Sequence, residues 1–361
     1  MTERIFNFSP GPAVLPEEVL REAQEALWNL DGSGIGILEH SHRGPVFDRV
    51  MAETEQAVRG LAAIPDDYAL LFLAGGASSQ FFMLPANLLP EDRTADFLVT
   101  GSWSEKALKE AKHYGTTHVA ASSADRNHAY IPGPGATRHS ASPVYVHFTS
   151  NNTLFGTQWR EEPTPPEGAW LACDASSDVF SRPLDVTRYG VLYAGAQKNI
   201  GTSGVTLVLI RRDLLEPVRD LPTMLRYEVH AKDDSRHNTP STFGIYLVGR
   251  VARWIARQGG LEALARRNAE KAALLYDVLD AGGFYRPHAE RESRSLMNVT
   301  FRTPSPELDE RFVKEATQAG LDGLKGHRSV GGMRASIYNA FPRAGCEALA
   351  QFMRDFAAQH G

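Results

Sequence analysis

Apolar positions along this chain fall into two textures. Between residues 68 and 210 they come as short continuous runs. Tyr68-Ala-Leu-Leu-Phe-Leu-Ala is the first, and it stops at Gly75-Gly76. Further runs cover 96–100, 143–148, 169–173, 191–194 and 205–210. Runs of this length without a polar face predict strands buried on both sides. Helical spacing frames them. Pro16-Glu-Glu-Val-Leu-Arg opens a predicted helix with proline and two acids, and residues 47–61 predict another. A helix is also expected to start at Ser78 or Ser79. Together these elements predict an α/β fold with a largely parallel sheet.

After Thr242 the texture changes. Helices are predicted over 243–258 and 261–279, broken at Gly259-Gly260. Strand, helix, strand and helix then follow over 295–301, 306–319, 333–338 and 343–359. This reads as a smaller α+β unit. The expected division is a large domain over 16–258 and a small C-terminal domain over 259–361, with 1–15 as a separate leading segment.

Composition removes several function classes. The net charge of −5 gives no electrostatic reason to expect nucleic acid as a partner. Two cysteines, Cys173 and Cys346, make neither a disulfide framework nor a metal-ligand pattern. No uncharged apolar stretch reaches the ~18 residues of a membrane helix, and the N-terminus lacks a signal-peptide core. The expectation is a soluble, cytoplasmic protein with no metal and no membrane partner.

The chemistry gathers around Lys198. It stands in Val191-Leu-Tyr-Ala-Gly-Ala-Gln-Lys-Asn-Ile-Gly, directly after a buried strand. Desolvation there would lower the amine's pKa and make it a nucleophile. Alone, the pattern favours the plainer reading, a strand-end lysine pointing to water. Asp174 shifts the balance, because it closes the preceding run. Two such strands, joined by a crossover, bring both groups to one carboxyl edge of the sheet, where open α/β sheets bind ligands. In a pyridoxal-phosphate enzyme, a lysine makes the Schiff base and an aspartate pairs with the ring nitrogen. Asp174 also reads as a helix cap.

A phosphate needs a cradle, and Gly75-Gly-Ala-Ser-Ser-Gln supplies a strand–glycine–helix turn with free amides. Trp103, in Thr100-Gly-Ser-Trp, reads as a ring stacked on a planar cofactor or as a satellite core residue. Cations cluster in His42-Arg43 and in Lys325-Gly-His-Arg-Ser-Val-Gly-Gly-Met-Arg, which holds His327, Arg328 and Arg334. Arginine forks suit carboxylate and phosphate, although most such residues are solvated surface.

Taken end to end, these segments resemble the class V aminotransferase family, in the branch that makes phosphoserine. The resemblance also runs through Asn7-Phe-Ser-Pro-Gly-Pro-Ala, Ser150-Asn-Asn-Thr-Leu-Phe-Gly and His237-Asn-Thr-Pro-Ser-Thr-Phe. It implies the fold-type I architecture of pyridoxal-phosphate transferases, with a mostly parallel seven-stranded sheet, and places the 1–15 segment near the active site. It makes Lys198 the Schiff-base lysine and Asp174 the pyridinium partner. Trp103 matches the stacking residue and Thr153 the donor to the ring hydroxyl. Ala77, Ser78 and Gln197 match the phosphate side. Asn238 and Thr239 resemble a pair contributed by a second subunit, which implies a homodimer. His42, Arg43, His327, Arg328 and Arg334 resemble the substrate cations, and Ser9 a carboxylate contact. Some members carry arginine where Ser78 stands, which shifts the substrate phosphate towards His42, His327 and Arg328.

The implied reaction moves the amino group of L-glutamate to 3-phosphohydroxypyruvate, giving O-phospho-L-serine and 2-oxoglutarate. The related acceptor of pyridoxine biosynthesis, 3-hydroxy-2-oxo-4-phosphooxybutanoate, is left open. The rival readings are an alanine–glyoxylate type aminotransferase, a cysteine desulfurase, and a nucleotide-binding oxidoreductase or binding module. Against the last, no dinucleotide fingerprint follows the first strand.

Overall fold

The computed structural model describes residues 4–361. Seven strands build the main sheet: β1 (Tyr68–Leu73), β2 (Thr94–Val99), β3 (Thr116–Ser122), β4 (Tyr145–Thr149), β5 (Trp170–Asp174), β6 (Tyr189–Gly195) and β7 (Thr206–Arg211). Their order across the sheet is β1-β7-β6-β5-β4-β2-β3. All run parallel except β7, which is antiparallel to both its neighbours. Only residues 196–205 join β6 to β7, and so short a link allows antiparallel neighbours but no crossover helix.

Among the described residues, nine α-helices surround this sheet and a smaller one: α1 (Glu17–Trp28), α2 (Pro45–Ala62), α3 (Gly76–Leu88), α4 (Ser102–Ala111), α5 (Tyr227–Lys232), α6 (Thr242–Arg257), α7 (Gly260–Asp280), α8 (Pro306–Gln318) and α9 (Arg343–His360). One face of the main sheet packs on α3 and α4, through residues such as Phe81, Ala107 and Tyr193. The other face packs on α2 and α6, through Val58, Phe148, Leu192 and Val248. Burial on both faces explains why these strands carry no polar stripe.

The smaller sheet is antiparallel, in the order β8 (Arg286–Pro287), β9 (Asn298–Arg302), β10 (Met333–Ser336). Its core joins Leu275 of α7, Phe301, Phe312 of α8 and Met353 of α9. Helix α7 spans both cores, with Leu261 and Leu264 in the first and Ala272 and Leu275 in the second. The N-terminal strap bridges them too. Phe6–Asn7 pairs with Leu321–Asp322, Phe8 is buried in the second core, and Ala13 N donates to Gln197 O at 2.8 Å.

Four of these elements lie outside the sequence expectation: β3, α4, α5 and the two-residue β8. Strand β3 is at the sheet edge and leaves Val119 45% exposed, so no apolar run marks it. Helix α4 buries only Ser104, Ala107 and Ala111, and α5 has six residues. Helix α3 begins at Gly76, before the serines, because Gly75 and Gly76 take positive φ values of 93° and 69° and turn the chain early. No helix among the described residues is long and apolar enough to cross a membrane.

Candidate active site

Strands β5 and β6 are parallel neighbours, with Asp174 opposite Tyr193. Asp174 therefore ends β5 beside the turn that follows β6, and that turn carries Lys198. A cavity of about 550 Å³ opens there, between the sheet's carboxyl edge, the first turns of α3 and α4, and the 327–334 segment. Pro10 and Gly11 of the strap form part of its wall.

The Lys198 turn is held from several sides. Ala196 N donates to Val205 O at 2.9 Å, and Asn199 Nδ2 donates to Ser177 O at 2.9 Å. Lys198 Nζ donates to Thr153 Oγ1 at 2.8 Å and lies 5.6 Å from the Trp103 ring centroid. Burial pulls its pKa from the usual 10.5 to about 8; Asp174 resists this and Arg334 assists it. The structure thus settles the sequence ambiguity towards an amine turned into the cavity.

Asp174 is 3% exposed. Its Oδ1 accepts from Ser176 N at 3.0 Å and from Ser176 Oγ at 2.6 Å. Among the described residues no donor reaches Oδ2. Burial pushes the carboxyl pKa up, and Ser176 and Lys198 pull it back. Thr153 sits in a tight turn between the paired segments Asn151–Asn152 and Thr157–Gln158, which fixes its hydroxyl beside the amine.

Helix α3 points its N-terminus at the cavity, through Gly76, Ala77 and Ser78. No side chain caps it, so its first amides stay available to an anion, with the helix dipole behind them. Trp103 lies in the first turn of α4, where Ser104 Oγ ties Thr100 N and Gly101 N at 3.1 and 3.2 Å. The ring packs on the α3–α4 core and also faces the cavity.

At the outer end, Arg334 is 6% exposed, and its Nε and Nη1 have no hydrogen-bond partner. A buried guanidinium without an acceptor is costly, so the site demands an anion. His327, Arg328 and Lys106 line the same end. Burial, Arg334, Arg328 and Lys106 all push the His327 pKa down.

The structure thus gathers Lys198, Asp174, Ala77, Ser78, Trp103, Thr153, Gln197, His327, Arg328 and Arg334 around one cavity. It does not bring Ser9, His42, Arg43, Asn238 or Thr239 to that cavity. Ser9 N donates to Asn7 Oδ1 at 2.9 Å, within the strap. Arg43 shares an open depression with Asp48, Asp233, Asp234, Arg236 and His237, next to exposed Asn238 and Thr239. His42 is half-buried and its Nε2 lacks a partner. Two residues missed from sequence belong to the site. Ser176 orients Asp174, and its neighbouring serines disguise it. Lys106 stands 4.4 Å over the Trp103 ring, one helical turn after it, a spacing that could have drawn attention to it.

These features fit a planar cofactor with an aldehyde, a basic ring nitrogen and a phosphate. The Aminotransferase class-V family profile matches residues 5–349. The chain belongs to the class-V aminotransferase family, and it is a pyridoxal-phosphate-dependent transaminase. At finer grain, it is 51% identical to the phosphoserine aminotransferase of Lysinibacillus sphaericus, over 100% of both chains. It is 52% identical to that of Chromobacterium violaceum, over 99% of both. Among solved structures, phosphoserine aminotransferase from Bacillus circulans subsp. alkalophilus superposes with a TM-score of 0.97, at 49% identity over the whole of both chains.

The desulfurase reading fails on the cysteines. Cys173 lies inside β5 and Cys346 inside α9, both buried, and burial pushes both thiol pKa values up. Neither is a mobile nucleophile.

Proposed function

We propose that this chain is a phosphoserine aminotransferase: it moves the amino group of L-glutamate to 3-phosphohydroxypyruvate, giving O-phospho-L-serine and 2-oxoglutarate. One observation carries this reading. A buried amine with a lowered pKa shares a single cavity with Arg334, His327, Arg328 and Lys106, none of which pairs with a carboxylate among the described residues. L-Glutamate and O-phospho-L-serine each carry an α-carboxylate at one end and a second anionic group, a carboxylate or a phosphate, at the other.

Pyridoxal phosphate, when bound, supplies an aldehyde that takes up amines and a ring that draws electrons from them. The first amides of α3, with Ala77, Ser78 and Gln197, would hold its phosphate. Asp174 Oδ2 would hold its ring nitrogen, Thr153 Oγ1 its ring hydroxyl, and Trp103 would cover one face. Arg334 is the partner for the substrate α-carboxylate. His327, Arg328 and Lys106 take the distal carboxylate or phosphate. Lys198 Nζ would take the proton from the substrate Cα and deliver it to the carbon that carried the cofactor's aldehyde, as general base and then acid. Because donor and acceptor use one site in turn, ping-pong kinetics follow.

The chain would work as a homodimer. Leu27, Trp28, Ile35 and Leu38 are exposed, Trp28 by 86%, on the end of α1 and the loop folded against it. Such an apolar patch suits a second copy. His42, Arg43, Asn238 and Thr239 lie off the chain's own cavity, and would complete the partner's. Two free, buried cysteines are in keeping with the reducing cytoplasm.

The test is a set of half-reactions. Loaded enzyme mixed with glutamate alone should release one equivalent of 2-oxoglutarate. It should then react with 3-phosphohydroxypyruvate but not with pyruvate or glyoxylate. Equal turnover of the unphosphorylated acceptors would overturn the substrate assignment. Adding 3-hydroxy-2-oxo-4-phosphooxybutanoate as a further acceptor measures how far the distal cations tolerate a longer chain.

A further inference from the structure

A second lysine is buried outside the cavity. Lys271 of α7 is 3% exposed. Its Nζ donates to Ile337 O at 3.0 Å, Tyr338 O at 2.7 Å and Phe341 O at 3.1 Å. That uses all three ammonium protons, and every acceptor is a backbone carbonyl of one short segment. A methionine would fill such space at less desolvation cost, so a charge here has to serve something beyond packing.

The segment it grips touches the Lys198 turn on two sides. The Tyr338 hydroxyl donates to Pro10 O at 2.8 Å and accepts from Asn298 Nδ2 at 3.2 Å. Pro10 leads into Gly11, which has a φ of +145° and so close an approach that a Cβ there would lie 3.4 Å from Lys198 Cγ. On the other side, Asn339 N donates to Asn199 Oδ1 at 3.0 Å, one residue after Lys198. Asn339 Nδ2 also donates to Phe180 O at 2.9 Å, beyond Asp174 on the β5–β6 crossover.

We propose that Lys271 is a positioning residue for Lys198: its ammonium fixes the 337–341 segment, whose Tyr338 and Asn339 set the strap wall and the lysine turn on either side of the reactive amine. The proposal rests on Lys198 being that amine.

The test uses Lys271→Met and Tyr338→Phe beside the wild type and Lys198→Ala. Two quantities are read per folded molecule. One is kcat of the loaded enzyme. The other is the pH at which Lys198 of the cofactor-free protein is half-trapped by formaldehyde and borohydride, followed by peptide mass spectrometry. Lys271→Met should lower kcat about 10- to 100-fold, the usual scale for a displaced supporting contact, and move the Lys198 trapping midpoint. Tyr338→Phe should shift both the same way by less, and the double variant should fall short of the product of the two. A lower melting temperature with kcat and midpoint unchanged would overturn the proposal, because packing alone predicts that. If Lys271→Met does not fold, Tyr338→Phe decides by the same readouts. Retained turnover in Lys198→Ala would instead remove the reading on which the proposal stands.

Discussion

Asp174 divides its oxygens between two jobs. Oδ1 takes the Ser176 amide and hydroxyl, as a capping residue would, and Oδ2 is left for the cavity. No helix starts after Asp174, so the capping reading is met only as a local turn, and the ring-nitrogen role of Oδ2 is part of the proposed function. Asp174→Asn keeps the shape but removes the charge, and kcat should fall about a hundredfold or more, on the scale of a lost electrostatic contact to the reacting system. Steady-state assays with saturating cofactor check this. Lys198 makes a pH prediction. Its pKa is about 8 in the folded chain against 10.5 ordinarily, so at neutral pH folding forces a buried charge. Between those values the unfolded chain binds more protons, so this group's contribution to stability rises with pH. Cofactor-free Lys198→Met should therefore melt above the wild type near pH 7, and lose that advantage as pH climbs past about 8 towards 10.5. Thermal melts of both proteins across that range measure it. Sequence could nominate Lys198 and Asp174, because a charge at the end of an apolar run is conspicuous. It could not nominate Lys106 or Ser176, because exposed lysines and loop serines are common and only the fold shows which ones face a cavity.

Helix α3 shows how an element makes a site. Its N-terminus is open to an anion because no side chain caps it, and two glycines with positive φ aim it. A Cβ on Gly75 would lie 2.0 Å from Ser79 Oγ, at a φ of +93°. Gly75→Ala should weaken cofactor binding by about 1–3 kcal/mol through strain at the turn, with a smaller effect on kcat once cofactor is saturating. Equilibrium titration with pyridoxal phosphate would show it, and unchanged affinity would sink the phosphate assignment. The strands of the central sheet were legible because they are buried on both faces. Edge strand β3 and helix α4 were not, since partial exposure and small residues erase the pattern. That loss matters, because α4 is what points Trp103 and Lys106 inward.

At the scale of the whole molecule, the exposed Trp28, Ile35 and Leu38 predict association. Trp28→Glu should shift the chain towards monomer in analytical ultracentrifugation and lower activity with it. Complementation is the sharper measurement. Lys198→Ala keeps its His42 and Arg43, and a variant with both of those changed to Ala keeps its lysine. Mixed after mild dissociation, two poorly active proteins should form some intact sites and regain turnover. No regain despite exchange of subunits would rule out shared sites. The sequence by itself determined the α/β class, the buried central strands and the lysine–aspartate pair, because hydrophobic period and the residue closing a strand are local facts. Only the tertiary structure decided which cations meet in one cavity, which oxygen of Asp174 is free, and that a distant buried Lys271 grips the segment beside Lys198. Those depend on contacts between residues far apart in the chain, and nothing in local spacing encodes them.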